Sequence, residues 1–127
     1  MSLENITVDG CTLEFQNGGT GTITIDPGQL STKAKADGKA VYLTLKFTVS
    51  DYTGGDITVA KSGTGKGEII AGSQHVKVEG HTAILEGDVS AQFVVTGQKP
   101  SGSSTVPATN NEVVKVTAAG QSKAKGA

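Results

Sequence analysis

The 127-residue chain is long enough for one domain with a real core, but eighteen glycines, two tyrosines, three phenylalanines and no tryptophan leave that core to Val, Ile, Leu and Ala. Eleven basic residues, all lysine, nearly balance twelve acidic ones, so no net field draws the chain to nucleic acid or to an anionic membrane. With no arginine, planar bidentate recognition of phosphate has no residue to perform it. Residues 1–5 carry no basic start followed by an apolar run, and no stretch is long enough to span a bilayer, so the expectation is a protein made in the cytoplasm without a Sec-type leader and with no membrane-spanning segment. A single cysteine, Cys11, cannot form an internal disulfide.

In chain order, residues 6–15 alternate apolar and polar around Asp9-Gly10 and predict a first hairpin. After Asn17-Gly18-Gly19, residues 20–25 are a β-branched strand ended by Asp26-Pro27-Gly28. Residues 31–43 match residues 73–85 without a gap: Ser31 falls on Ser73, Lys35 on Lys77, Asp37-Gly38 on Glu79-Gly80 and Leu43 on Leu85. Each copy predicts a hairpin turning at its acidic-Gly pair, because Gly takes positive φ without steric cost. Each is followed by a β-rich run, residues 44–50 and 89–96. Between them lie a short strand at 57–60 and a glycine-rich tract at 61–67, read as a loop. The second copy closes on a further turn at Gly87-Asp88. The expected organisation is a hairpin-repeat domain over 1–97, a flexible Pro- and Ser-rich linker over 98–111, and a C-terminal strand with a fraying tail over 112–127. The fold class is all-β.

The chemistry-bearing residues are few. Gly65-Lys66 falls short of a phosphate loop, since Ala60 stands where the first glycine belongs and Gly67 replaces the magnesium-binding hydroxyl. Cys11, His75 and His81 are the only soft metal ligands. With Glu79-Gly80 as a two-residue turn, His81 shares a face with Val76, Val78 and Ala83, and His75 shares the other with Lys77, so one ion is not expected to join the two histidines unless a bulge shifts the phase. Serines and aspartates sit in turn-like or alternating contexts where they bond nearby backbone, and no catalytic constellation emerges. The chain is read as a non-enzyme.

The segment Val76-Lys-Val-Glu-Gly-His-Thr-Ala-Ile-Leu-Glu-Gly-Asp88, with the copy at 31–43 and the early Val8-Asp9-Gly10-Cys11, resembles the repeating unit of PAAR and PAAR-like proteins. The proline-alanine pair that names the family is replaced by Thr82-Ala83, and the family's set of several histidines and a cysteine is incomplete. The resemblance implies a small cone that caps the trimeric β-helical spike of a contractile injection machine, such as a type VI secretion system or a phage-like tail. It implies a trimeric spike protein as partner, an effector or the target envelope as further contacts, and delivery outside the cell as part of a particle. No cofactor is expected, with zinc or iron at the tip as the alternative the family suggests. The residues equally allow a small β-sandwich or β-barrel binding module, such as an adhesin or a tail or capsid decoration protein.

Overall fold

The computed structural model describes residues 3–127; Met1 and Ser2, where the stretch read for a leader begins, lie outside them. The fold is all-β, with no helix among the described residues and no closed barrel. Its strands are β1 (Glu4–Asn5), β2 (Thr12–Phe15), β3 (Thr20–Ile25), β4 (Leu30–Ala36), β5 (Lys39–Tyr42), β6 (Lys46–Thr53), β7 (Gly63–Glu68), β8 (Lys77–Val78), β9 (His81–Thr82), β10 (Phe93–Ser101), β11 (Ser104–Glu112), β12 (Val114–Ala118) and β13 (Lys125–Gly126). The chain passes back and forth between two structures. One is a layered unit, in which the antiparallel sheet β11-β10-β7-β6-β3 shares a core with the separate pair β2–β12. The other is a set of short hairpins, β4–β5, β8–β9 and β1–β13, with a core of its own.

Alternation builds the layered unit. In β6, Phe47 and Val49 are fully buried, and then the inward position moves to Tyr52 rather than Asp51. Asp51 takes φ 52° where the registers of β6 with both neighbours shift, so one extra residue is absorbed as a bulge and Tyr52 still faces the core. Phe15 meets Tyr52 edge to face at 5.2 Å, tying β2 to the sheet.

The glycine-rich tract is not a loop. As β7 it runs between β6 and β10, and of its alternate glycines Gly63 and Gly67 face aromatic side chains while Gly65 faces Val95. A Cβ on Gly63 would stand 2.8 Å from Tyr52 Cβ, and one on Gly67 2.6 Å from the Phe47 ring. The alternation is that of a strand in which glycine is the inward residue, chosen because large neighbours fill the space.

Residues 98–111, expected as a linker, form the outer part of the hairpin β10–β11, paired from Phe93↔Glu112 to Ser101↔Ser104. Gly102, at φ 63°, leads its two-residue turn. Pro107 fits because β11 is an edge strand, where a missing N–H leaves no ladder bond unmade, and Pro100 because it lies past the Thr96↔Thr64 pairing of β10 with β7. Nor is the tail frayed: Ala119 and Gln121 are buried, and Lys125 and Gly126 pair with Asn5 and Glu4. The expected first hairpin over 6–15 is a turn only. Asp9-Gly10 reverses the chain, but β2 pairs with β12 and Val8 bridges to Val41.

Both acidic-Gly pairs turn their hairpins. Asp37 and Gly38 take φ 54° and 76°, Glu79 and Gly80 take 49° and 81°, so both central residues of each turn are left-handed as a type I′ turn requires. A Cβ on Gly80 would meet nothing within 4 Å, so its cost is backbone strain alone. Gly80→Val is expected to lower stability by about 1–3 kcal/mol, with Gly80→Asn costing distinctly less, as read by chemical denaturation.

Candidate functional site

The three short hairpins are copies of one another, and the third is assembled from segments far apart in sequence. Lys35 pairs with Ala40, Lys77 with Thr82, and Lys125 with Asn5. Each copy opens on a side-chain oxygen that caps the third amide onward. Ser31 Oγ accepts from Ala34 N–H at 2.8 Å, Ser73 Oγ from Val76 N–H at 2.9 Å, and Gln121 Oε1 from Ala124 N–H at 2.8 Å. Ile6, Val41 and Ala83 hold the same place in the three copies, and all are buried in one cluster with Val8, Ala36 and Leu85.

At the turn end, contacts run all the way round. The turn residue Glu79 of the second copy accepts from Ser31 Oγ of the first at 2.7 Å. The turn residue Asp37 of the first pairs with Lys123 of the third at 3.3 Å. In the third copy the Ala127 carbonyl takes the turn's place, accepting from Ser73 Oγ at 3.0 Å and from the Gln74 and His75 amides at 2.9 and 3.0 Å. Three chemically different links each join the turn of one copy to the opening residues of the next, at Ser31 and Ser73 in two copies and two residues past the corresponding Gln121 in the other, so the hairpins form a ring with approximate threefold repetition.

At the opposite end the ring is open at one interface. The third and second copies are bridged at Ile6↔Leu85, with Thr7 N–H to Ile84 C=O and Glu86 N–H to Asn5 C=O, each 2.8 Å. The third and first are bridged in the same way at Val8↔Val41, with Asp9 N–H to Ala40 C=O at 2.9 Å and Tyr42 N–H to Thr7 C=O at 3.3 Å. The corresponding bridge of Leu43 to Ala83 is absent among the described residues. A cleft of about 500 Å³ lies there, lined in part by Leu43, Thr44, His81, Thr82, Ile84 and Phe93. Its cause is local. Asp9-Gly10 and Glu86-Gly87 turn the chain where Gly10 and Gly87 take φ 92° and 95°, whereas the first copy has Thr44-Leu45, with Leu45 fully buried, and runs on into β6.

The expected turn residues therefore sit within the ring: Asp37, Gly38, Glu79 and Gly80 at its closed end, and Asp9, Gly10, Gly87 and Asp88 in the reversals at the other. Asp88 Oδ2 accepts from Leu85 N–H at 2.7 Å and Gly72 N–H at 2.9 Å, fastening the second reversal.

The three candidate metal ligands do not converge. Cys11 is half-buried and follows the first reversal, while His75 and His81 are exposed on the second hairpin, and Val78 pairs with His81. No group of three or more His, Cys, Asp or Glu side chains comes together among the described residues. Burial, with a smaller contribution from Asp9, pushes the Cys11 thiol up to about 11 against the pull of its backbone hydrogen bond, so at neutral pH it is the protonated thiol rather than the thiolate that zinc takes. These residues do not fit a tip metal. Elemental analysis of purified protein is expected to find no stoichiometric zinc or iron, and a one-to-one content lost in His81→Ala would refute that reading.

Sequence reasoning missed Glu112, fully buried between the layers. Its Oε1 accepts from the amides of Gln16, Asn17 and Val113 at 3.2, 2.7 and 3.0 Å, and its Oε2 from Tyr52 Oη at 2.6 Å. Asn110 Nδ2 donates in turn to Tyr52 Oη at 2.7 Å. With every oxygen engaged, the carboxylate is a structural node and not a free base. The Tyr52 hydroxyl is pushed up to about 12, by burial first and then by its bond to Glu112, which outweigh the Asn110 bond. A phenol raised in the folded state stabilises fully below its unfolded value of 10.0, and that contribution is lost as pH climbs through about 12. Urea midpoints are expected to fall over this window, and Tyr52→Phe to flatten part of the fall, the remainder belonging to Tyr42, also raised to about 12, and to Cys11, raised to about 11.

No family model matches the chain, and neither a curated protein nor a solved structure matches it.

Proposed function

We propose that the protein is a non-enzymatic structural component that seats its three-hairpin ring on a trimeric partner, as the tip of a spike in a contractile injection or phage tail-like particle, and leaves the cell with that particle. The observation that carries this reading is the set of links at the ring's closed end, Ser31–Glu79, Lys123–Asp37 and Ser73–Ala127, each of which joins the turn of one copy to the opening of the next, three times within a single chain. A single chain can match a symmetric trimer over its whole end only if it offers three similar surfaces, because each partner subunit presents the same patch. Splitting one copy between residues 4–5 and 125–126 keeps the number at three. An effector or the target envelope remains a candidate for contacts away from the spike.

A second reading is favoured by the layered unit, where the outer half of β10–β11 presents an exposed, hydroxyl-rich surface around Ser101, Ser103, Ser104 and Thr105. On this reading the protein is a small binding module, an adhesin or a tail or capsid decoration protein, and the ring is its base.

Native mass spectrometry of the tagged protein recovered with its partner from the source cells tests the two. The spike reading expects one copy of this chain with three copies of a trimeric β-helical protein. A one-to-one complex, or capture on glycans or capsids without a trimeric partner, would set it aside for the binding module.

A further inference from the structure

The open interface of the ring is a place where an expected pair of backbone bonds is not made. At the two closed interfaces, the peptide groups equivalent to Tyr42 C=O, Thr44 N–H, Thr82 C=O and Ile84 N–H form bonds of 2.8 to 3.3 Å. In the first and second copies the Thr44 and Ile84 amides have no backbone partner among the described residues, and Thr44, Thr82 and Ile84 line the cleft instead. Unpaired edges of this kind are templates for another strand.

We propose that the cleft is a strand acceptor: an extended segment of another polypeptide enters between the first and second hairpins and pairs with both edges. Backbone pairing sets the occupant's conformation and the lining sets its composition. Leu43, Ile70 and Phe93 offer an apolar surface to alternate side chains, over the buried Ile69 and Ile84, and a cleft of about 500 Å³ accommodates a short stretch of chain. Glu68, opposite Lys46 in the ladder, is the acidic residue of the lining, exposed and with no ion pair or hydrogen bond to its carboxylate among the described residues. The segment that fits therefore alternates β-branched residues with polar ones and places a lysine or arginine beside Glu68. The inference stands on backbone pairing alone and holds whichever partner meets the closed end of the ring.

The test uses the intact, isotope-labelled protein and a soluble synthetic peptide of alternating valine and threonine with one central lysine. Peptide binding is expected to slow amide hydrogen exchange at Thr44 and Ile84 by roughly tenfold or more, since an amide without a partner gains one. Glu68→Lys should weaken binding several-fold, and a peptide carrying glutamate in place of lysine should restore it. The same peptide N-methylated at alternate positions keeps its side chains but cannot pair, and it should protect neither amide. Unchanged exchange at saturating peptide, or equal binding of the N-methylated form, would overturn the proposal. Protection at Thr44 that rises with protein concentration in the absence of peptide would assign the cleft to a second copy of the chain and overturn it as well.

Discussion

A two-stranded hairpin has one apolar face and nothing of its own to cover it, which is why isolated hairpins are marginal in water. That constraint organises this molecule. Each copy lends a few small side chains, Val41 and Ala36 from one, Ala83 and Leu85 from another, Ile6 and Val8 from the third, and none of these would be buried without the other two. The chemistry of the links differs from one junction to the next, while each still runs from a turn to the opening of the neighbouring copy. A hydroxyl meets a carboxylate in one place, an ammonium meets a carboxylate in the next, and amides with a hydroxyl meet a carbonyl in the last. Geometry is what repeats.

The layered unit answers a different problem, the joining of segments that are distant in sequence. Glu112 holds the amides of Gln16 and Asn17 from the connection after β2, the hydroxyl of Tyr52 from β6, and the start of β12 through Val113. A carboxylate excluded from water needs that many donors, since each lone pair left empty would cost about 1–3 kcal/mol. Its burial thus fixes three pieces of backbone relative to one another, and Gly19, Gly54 and Gly63 lack side chains where the Tyr52 ring passes.

Much of the hairpin architecture was legible in the sequence because its signals are local. Asp37-Gly38 and Glu79-Gly80 state their turns outright, and the match of 31–43 to 73–85 gives two copies. The third was hidden because its strands lie at opposite ends of the numbering; the clue was Lys123-Ala124-Lys125, which repeats Lys33-Ala34-Lys35. Strand β7 was missed because glycine reads as loop unless its alternation with Thr64, Lys66 and Glu68 is weighed. The hairpin β10–β11 was missed because Pro100 and Pro107 signal a linker, and only the sheet pairing reveals that Pro107 sits on the edge strand and Pro100 past the contact of β10 with β7. Glu112 carries no sequence signal, since its burial depends on three elements meeting around it. The open interface was equally silent, being an absence of a glycine after Leu43.

The split copy also governs the order in which the molecule can fold. The pairs β4–β5 and β8–β9 close across two residues and can form as soon as they leave the ribosome, on the microsecond scale typical of hairpins. The pair β1–β13 closes nearly the whole chain, and such non-local contacts come late because their loop entropy must be met before they stabilise anything. Until residues 121–126 arrive, the first two hairpins wait with their apolar faces uncovered, an aggregation-prone state that ends only when those residues dock.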